Sequence, residues 1–424
     1  MARKMKNSGI EWIGDIPGGW EIKYFVQLFS QVKNKNIGLR EKNLLSLSYG
    51  KIKQKSIETV GGLLPDNFEG YNIIDRNDIV LRLTDLQNDQ HSLRVGLSHE
   101  RGIITSAYCS IRVRGAESPN YLYYYLHTFD IAKGFYGMGS GVRQGLNWDG
   151  LKYIKILLPP QHEQDRISVF LNQKTLEIDS MLSKTISSIE EYKKLKQAVI
   201  TQAVTKGVRG EREMKDSGVE WIGEIPAEWS ICPLKRLAAI QTGSTPSKTS
   251  SESFYSSITG TPWIKPDNLG FSSSIETTAE FLTEEGCSVA RTFPSNTVYV
   301  GCIGSRIGNC GYSLIPCACN QQINALIFNE RMYWKYGWYL TIFQEEQYTL
   351  LANGNVIQII NSTTQGNISC IVPSISEQRE ITAYLDAKCA EIDGLIAKKE
   401  QLAKELESYK KSLIYEVVTG KREV

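Results

Sequence analysis

Apolar residues recur at alternating spacings of three and four in two stretches of the chain, 159–207 and 373–424. Proline occurs only at the beginning of each stretch, where a helix tolerates it. The resulting seam consists of Ile178, Met181, Thr185, Ser188, Tyr192, Leu195 and Val199 in the first stretch, and of Ile392, Leu395, Lys399, Leu402, Leu406, Tyr409 and Leu413 in the second. The pattern predicts two long helices that each carry a coiled-coil seam.

Both predicted helices are too long for one small domain, because roughly 40 residues at about 1.5 Å each extend about 60 Å. One interpretation is that each seam packs onto its own globular domain. Two matching seams in one chain pack most simply against each other. If the second half repeats the first around a two-fold axis, the helices run antiparallel and the segments between them sit at opposite ends.

The sequence repeats itself in two blocks. The segment Ser8–Pro17, followed by Trp20, recurs 209 residues later as Ser217–Pro226, followed by Trp229. A second register, offset by 214 residues, aligns the two long stretches. It matches Pro159 with Pro373, Glu163-Gln164 with Glu377-Gln378, and Glu177-Ile178-Asp179 with Glu391-Ile392-Asp393. Because the intervening segments are similar in length but nearly unrelated in sequence, the chain is two half-molecules with constant frames and variable inserts.

This repeat predicts the domain organisation. Residues 1–20 form an N-terminal constant segment, 21–158 the first insert, 159–207 the central long helix, 208–229 a linker with the repeated constant segment, 230–372 the second insert, and 373–424 the C-terminal long helix. Strand character occurs in Asp78–Leu83, Gly102–Thr105, Cys109–Val113, Thr297–Val300 and Asn324–Phe328, and aromatic-rich helical character in Tyr121–Phe129 and Trp334–Gln347. The predicted fold class is α/β (α+β): two globular mixed α/β domains, joined by two long helices that form an antiparallel coiled coil.

Composition limits the environment and the partners. The 48 basic and 46 acidic residues give a net charge of +2, which is no bulk signal for nucleic acid. The charge is uneven, at +7 for residues 1–207 and −5 for 208–424. No window approaches 18 apolar residues, the N-terminus lacks an apolar signal core, and the nine cysteines are an odd number. We therefore expect a cytoplasmic protein that does not enter membranes.

Motifs that carry catalysis are missing from the sequence. It contains no G-x-x-x-x-G-K-[ST] loop, no strand-linked G-x-G-x-x-G, no H-E-x-x-H and no G-x-S-x-G. Cys302, Cys310, Cys317 and Cys319 could be imagined as a zinc site, but their spacing is not C-x-x-C and an apolar strand environment explains them better. We expect no metal and no catalytic residue in this chain.

The first insert carries the stronger signal for nucleic acid, with a net charge of +5. Lys51, Lys53 and Lys55 alternate along an extended segment, which would place three ammonium groups on one side. An edge strand guarded by lysines is the equally favoured alternative. Further donors able to read guanine or adenine edges are Arg82, Arg94, Arg143 and Gln144.

The second insert has a net charge of −1 and offers fewer contacts. Its candidates for DNA binding are Lys265, Arg306 and the amide cluster Asn320-Gln321-Gln322. Three adjacent amides more often secure a loop than read bases. Both roles stay open for this cluster, with loop securing the favoured one.

Together these motifs resemble one known family, the specificity subunits of type I restriction-modification systems. The resemblance rests on the two Ser-Gly-x-Glu-Trp-Ile-Gly-x-Ile-Pro-x-x-Trp segments, the two Pro-x-x-x-Glu-Gln helix starts, Asp78–Gln87, Ser140–Gln144, Cys319–Asn324 and Tyr415–Gly420. The resemblance covers nearly the whole chain. Both the order of the motifs and the half-repeat match those of this family.

The resemblance implies two target-recognition domains, each reading one half of a split, asymmetric sequence in double-stranded DNA. It also implies that the coiled coil docks two adenine-N6 methyltransferase subunits and, in the full assembly, two restriction (motor-endonuclease) subunits. The methyltransferase would bind S-adenosylmethionine, and this chain would bind no cofactor. A cytoplasmic scaffold with two protein- or glycan-binding modules, and an enzyme with lyase or hydrolase inserts, are the alternatives.

Overall fold

The computed structural model describes residues 3–56, 67–86, 93–139, 145–246, 252–270, 274–354 and 357–424. The chain divides into two compact units. Unit 1 comprises Met1–Thr185 and Gln401–Val424, and unit 2 comprises Ile186–Glu400. Each unit therefore contains one insert, one constant N-terminal segment, and about half of each long helix. The division predicted from the sequence repeat assigns each long helix as a whole and does not show this grouping.

Two helices dominate the chain and fall within the predicted stretches. The helices are α1 (Phe25–Leu28), α2 (Pro119–Ile131), α3 (Trp148–Leu151), α4 (Gln161–Lys206), α5 (Glu284–Val289), α6 (Trp334–Phe343), α7 (Glu345–Leu350), α8 (Ser362–Gly366) and α9 (Ile375–Val418). With 46 and 44 residues, α4 and α9 confirm the two long helices. In the described part of the chain, no helix is both long and apolar enough to cross a membrane.

Unit 1 is built around a four-stranded antiparallel sheet in the order β4–β11–β8–β9. Its strands are β1 (Met5–Asn7), β2 (Asp15–Pro17), β3 (Glu21–Tyr24), β4 (Phe29–Gln31), β5 (Leu45–Ser48), β6 (Lys51–Gln54), β7 (Asn72–Ile74), β8 (Ile79–Leu81), β9 (Val95–Leu97), β10 (Gly102–Ile104), β11 (Cys109–Val113) and β12 (Lys155–Leu158). The central strand β8 is apolar and buried at every position, as expected where both faces of a sheet are covered. Two-stranded pairs β1–β2, β3–β12, β5–β6 and β7–β10 surround it.

Unit 2 repeats this plan with a four-stranded antiparallel sheet in the order β16–β24–β21–β22. Its strands are β13 (Met214–Asp216), β14 (Glu224–Pro226), β15 (Ser230–Pro233), β16 (Ala238–Thr242), β17 (Tyr255–Ser256), β18 (Thr261–Ile264), β19 (Phe281–Leu282), β20 (Thr292–Phe293), β21 (Thr297–Gly301), β22 (Cys310–Ser313), β23 (Cys317–Cys319), β24 (Ile323–Phe328) and β25 (Ser369–Val372). The pairs β13–β14 and β15–β25 correspond to β1–β2 and β3–β12. The two inserts thus share a core topology despite their unrelated sequences.

The long helices run antiparallel within each unit. In unit 1, Lys410 of α9 bonds Asp179 of α4 at 2.6 Å, and the Tyr121 hydroxyl contacts both Leu157 O and Val418 O. In unit 2, Lys196 bonds Asp393 at 2.7 Å. There, too, a tyrosine hydroxyl, that of Tyr336, contacts the corresponding carbonyls of Val204 and Ile371. Pairing of the two helices with each other, predicted from their seams, is confirmed in each unit.

The predicted seam is correct at every second position, and of the other predicted positions only Ser188 is half-buried. Buried or half-buried positions follow the order four then three, rather than three then four. They are Ile178, Leu182, Thr185, Ile189, Tyr192, Lys196 and Val199 on α4, and Ile392, Ile396, Lys399, Ala403, Leu406, Lys410 and Leu413 on α9. The predicted Met181, Leu195, Leu395, Leu402 and Tyr409 are exposed. Two adjacent faces of each helix carry apolar residues, so a heptad period alone does not decide which face is internal.

A carboxylate that is buried in unit 2 and half-buried in unit 1 anchors the start of each long helix. Glu163 accepts hydrogen bonds from Trp20 Nε1 at 2.9 Å and Arg3 Nη2 at 2.5 Å; we call this group the first clamp. Burial raises the pKa of Glu163, but hydrogen bonds from Arg3 and Trp20 outweigh burial and lower this pKa overall. The tryptophan that recurs in the constant segment therefore helps to hold the start of the long helix in place.

The second clamp repeats this geometry in unit 2. Glu377, 2% exposed, accepts from Trp229 Nε1 at 2.8 Å and from Arg212 Nη1 at 2.5 Å. The Arg212 guanidinium also lies 5.0 Å from the centre of the Trp229 ring. Glu377 is therefore bound on both sides, by an indole and by a cation.

The neighbouring glutamine of each motif ties the helix to the insert. In unit 1, Gln164 accepts from Ser118 N at 2.9 Å and donates to Pro159 O at 3.0 Å. In unit 2, Gln378 accepts from Tyr333 N at 2.7 Å and donates to Pro373 O. The Pro-x-x-x-Glu-Gln motif is thus a joint between three chain segments, since its glutamate and its glutamine bind different ones.

Replacing Glu377 with Ala should lower the stability of unit 2 by roughly 3 kcal/mol, because the Arg212 side chain is only 14% exposed and would lose its buried partner. The matched control is Glu380→Ala. Glu380 pairs with Arg209, and both side chains are nearly half exposed, so the control should cost less than about 1 kcal/mol. Thermal unfolding followed by circular dichroism measures both variants. Equal shifts in Tm would contradict a structural role for the clamp.

Candidate nucleic-acid interface

The predicted lysine row lies on the β5–β6 hairpin of unit 1. Tyr49 and Gly50 form its turn with φ values of +47° and +75°, as the two-residue turn of a hairpin requires. A Cβ on Gly50 would lie 3.0 Å from the Cβ of Leu93, so glycine also fits the available space. Strand β6 turns Ile52 toward the core and leaves Lys51 and Lys53 exposed.

The lysine row has the extended geometry that the sequence predicts. Lys51 and Lys53 lie opposite Ser48 and Ser46 in the antiparallel register, and the Lys55 amide continues the pairing with a 2.8 Å bond to Leu44 O. Within the described residues, β6 pairs with β5 alone. The row is therefore both an exposed line of cations and an exposed strand edge, and its role in binding phosphate stays a prediction.

Arg94 contradicts the prediction of a base-reading side chain. It is fully buried, and its guanidinium donates to Arg82 O at 3.1 Å, Thr84 O at 2.7 Å and Asp85 O at 3.2 Å, and to the Tyr136 hydroxyl at 3.2 Å. Arginine's several donors suit this task, because the loop after β8 presents three carbonyl groups that need partners. Arg94 therefore holds a loop in place from inside the domain.

Other candidates in the first insert remain predictions. Arg82 is half-buried, and its backbone amide donates to Arg94 O at 2.9 Å. Arg143 and Gln144 lie outside the described residues.

The two candidate cations of the second insert, Lys265 and Arg306, are each paired with a carboxylate. Lys265 Nζ lies 2.6 Å from Glu280 Oε2 and 4.9 Å from the centre of the Trp263 ring. Arg306 Nη2 lies 3.5 Å from Asp267 Oδ1. Both side chains remain partly exposed, so a phosphate would have to compete with these carboxylates for them.

The amide cluster secures the turn between β23 and β24. Asn320 Oδ1 accepts from Gln322 N at 3.1 Å, while Asn320 Nδ2 donates to Gln322 Oε1 at 3.2 Å. Gln321 bonds the hydroxyl of Thr245, and Asn320 N donates to Ile264 O at 3.1 Å. These contacts favour the loop-securing interpretation over base reading.

The four cysteines considered for zinc lie in the apolar interior of unit 2. Cys310 is on β22, Cys317 and Cys319 are on β23, and Cys302 follows β21. Burial raises the pKa of the Cys302 thiol to about 11. Among the described residues, no group of three or more histidine, cysteine or acidic side chains is arranged to hold a metal ion. The apolar strand environment predicted for these cysteines is confirmed.

Asp179 is a residue beside the lysine row that the sequence motifs did not single out. Its two oxygens bind Lys410 at 2.6 Å and Lys51 at 2.9 Å, so it connects α9 to the hairpin that carries the lysine row. Burial raises the pKa of Asp179, but hydrogen bonds from the two lysines outweigh burial and lower it overall. The signal was available in the sequence, because Asp179 matches Asp393 in the 214-residue register.

A cavity of about 760 Å³ lies beside this ion pair in unit 1, between the hairpin, α2 and the two long helices. His127 of α2 lines it and is 8% exposed. Burial lowers the pKa of His127 to about 4, and the nearby charges of Lys410 and Lys411 act in the same direction. The imidazole is therefore neutral at neutral pH.

Comparison with known proteins shows which proteins this chain resembles. Residues 226–407 match the sequence profile described as type I restriction modification DNA specificity domain. The type I restriction enzyme MjaVIII specificity subunit of Methanocaldococcus jannaschii is 26% identical over 368 residues, covering 82% of this chain and 80% of that protein. The putative MjaX specificity subunit of the same organism is 24% identical over 434 residues, covering 96% and 95%. The chain is therefore similar to type I specificity subunits over most of its length, and residues 226–407 match their DNA specificity domain.

Solved structures show that the fold is shared as well. A chain from a structure of type I restriction-modification complex assembly and conformational transition has a TM-score of 0.72 at 15% identity, covering 96% of this chain and 99% of that chain. The HsdS subunit from Thermoanaerobacter tengcongensis has a TM-score of 0.50 at 15% identity, covering 96% and 98%. The specificity-subunit fold therefore persists here where most of the sequence differs.

The burial of His127 predicts how the stability of unit 1 depends on pH. Because its pKa is about 4 in the folded state against 6.5 in the unfolded state, the unfolded state gains the proton first as pH falls. The contribution of the neutral ring is complete above about pH 6.5 and is lost toward pH 4, a change of roughly 3 kcal/mol. His127→Phe should remove this part of the slope in unfolding measurements between pH 7 and pH 4. Replacing the exposed His99 with Phe should leave the slope unchanged, and equal slopes for all three proteins would refute the assignment.

Proposed function

We propose that this specificity subunit recognises DNA sequence for a type I restriction-modification complex. Each insert contacts a few base pairs of one half of a split target in the major groove, and the paired long helices set the unread gap between the halves. The observation that carries this proposal is the repeated core topology under two unrelated surfaces. One scaffold used twice with different surfaces suits a target with two different halves.

The surface charges support a division of labour between the two inserts. The first insert has a net charge of +5 and presents two exposed lysines from one strand: Lys53, and Lys51, which is 63% exposed although it pairs with Asp179. The second has a net charge of −1, and its Lys265 and Arg306 are paired with carboxylates. We infer that the first insert supplies more of the salt-dependent affinity, and that the second depends more on its partner subunits to stay on DNA.

The exposed apolar residues of the long helices support docking of partner subunits. Met181 of α4 and Tyr409 of α9 are 53% and 49% exposed in unit 1. Their equivalents in the 214-residue register, Leu395 and Leu195, are 36% and 48% exposed in unit 2. Because the same apolar positions occur once in each unit, we propose that two copies of one partner, the methyltransferase subunit, bind there. Two restriction subunits would join in the full assembly.

The chemistry of this proposal belongs to the partner subunits. S-adenosylmethionine binding, base flipping and methyl transfer are assigned to the methyltransferase, and this chain would hold no cofactor and no catalytic residue. The residues of this chain would act by positioning the inserts. The two clamps and the two glutamine joints hold each insert on the long helices, and these helices would carry the partner subunits.

The test is reconstitution with the methyltransferase subunit from the same organism. The purified chain alone should neither methylate nor cleave DNA, whereas the mixture should methylate adenine in both halves of one split motif, mapped by single-molecule sequencing. Met181→Glu with Tyr409→Glu should leave one methyltransferase bound instead of two, measured as complex mass. Activity from the isolated chain would contradict the proposal, and so would a mixture that shows no preference for any motif, as the scaffold alternative requires.

The lysine row gives a second test. Replacing Lys51, Lys53 and Lys55 with Ala in the reconstituted complex should weaken binding to all duplexes and reduce the salt dependence by up to about three phosphate contacts. Replacement with Arg keeps the charges and is the matched control. Binding is measured by fluorescence anisotropy across a salt series. Unchanged affinity and salt slope in the Ala variant would leave the row as a guarded strand edge.

A further inference from the structure

Two lysine–aspartate pairs cross from α4 to α9, one in each unit. In unit 1, Asp179 pairs with Lys410 at 2.6 Å. In unit 2, Lys196 pairs with Asp393 at 2.7 Å. The lysine side chains are only 24% and 13% exposed. The four residues occupy two equivalent positions of the 214-residue repeat. Asp179 of α4 corresponds to Asp393 of α9, and Lys196 of α4 corresponds to Lys410 of α9.

Both lysines occupy positions of the observed seam, where an apolar residue would pack better. A polar side chain at such a position reduces stability and favours the alignments that give it a partner. The residue numbers of each pair also add up to the same value, so both pairs belong to one antiparallel register of the two helices.

The heptad pattern by itself permits other alignments. A slip of one heptad brings the seam positions back into contact and moves one helix by about 10 Å. Asp179 would then face Ala403 or Val417, and Asp393 would face Ile189 or Ala203. Lys410 would face Asn172 or Ile186, and Lys196 alone would meet a new carboxylate, Asp386 or Glu400. Each slipped alignment thus places two carboxylates against apolar side chains and leaves Lys410 without an acidic partner.

We propose that the pairs Asp179–Lys410 and Lys196–Asp393 select the register of the long helices and thereby fix the length of the unread gap in the DNA target. This rests on the proposed function, in which the helix pair sets the spacing. A one-heptad slip corresponds to a change of about three base pairs, because each base pair adds about 3.4 Å.

The pair in unit 1 carries an additional constraint. Asp179 also binds Lys51 of the hairpin at 2.9 Å, whereas Asp393 has Lys196 as its lysine partner among the described residues. An exchange of charges should therefore be harmless in unit 2. In unit 1 it would place a new lysine at position 179 beside Lys51.

The main experiment uses Lys196→Met with Lys410→Met in the complex with the methyltransferase. Methionine fills the seam without a charge, and the Asp179 and Asp393 side chains that lose their lysine partner are 33% and 38% exposed to water, so the protein should still fold. Methylation mapping should then show the parental half-sites with mixed gaps, with at least one-tenth of methylated sites displaced by about three base pairs. Parental gaps at every site in this variant would overturn the proposal.

Charge exchange provides the rescue. Lys196→Asp should lower the Tm and reduce methylation of the parental motif at least tenfold, and adding Asp393→Lys should restore both. Lys410→Asp with Asp179→Lys should restore them only partly, because of Lys51. Exchange of the exposed pair Lys193 and Glu190 within α4 is the control and should change neither quantity.

The outcomes separate register selection from simple stabilisation and from failure of the proposed function. Variants with an altered Tm and an unaltered gap would overturn register selection, and so would full rescue in unit 1 together with no rescue in unit 2. A parental complex that methylates no split motif would instead refute the proposed function, because the gap would then have no meaning.

Discussion

The carboxylate at the start of each long helix is the interaction on which the rest of this protein depends. A carboxylate removed from water must be bound by donors, and Glu163 and Glu377 each receive an indole and a guanidinium. Those donors come from a constant segment far away in sequence. The carboxylate therefore joins the constant segment to the helix, and the neighbouring glutamine adds the insert. This arrangement explains why the same tryptophan and Glu-Gln pair recur in both halves.

A rigid frame of this kind allows the inserts to vary. The core sheet of each insert keeps its topology, while almost none of its residues are shared between units 1 and 2. Core positions require only apolar side chains of suitable size, so sequence can change freely there without altering the fold. The surface can then vary as well without disturbing the joints.

Much of this fold could be predicted from the sequence, because the information was local or repeated. The helices α4 and α9 and the strands β8 and β11 lie within or at the predicted boundaries. The internal side of each helix could not be predicted, since Leu182 and Met181 are equally apolar and only the partner helix distinguishes them. The site was harder still: an arginine such as Arg94 looks the same in sequence whether it faces DNA or three backbone carbonyls contributed by a loop.

The order of the units along the chain affects how the protein is made. Unit 2 is one uninterrupted stretch, whereas unit 1 needs residues 401–424 to complete its core. During synthesis the ribosome therefore releases all of unit 2 before unit 1 can close, although unit 1 begins first. Until then Ile178 and Tyr121 lack the cover of the last helical turns, so a chain cut short near its end exposes apolar surface that quality control can detect.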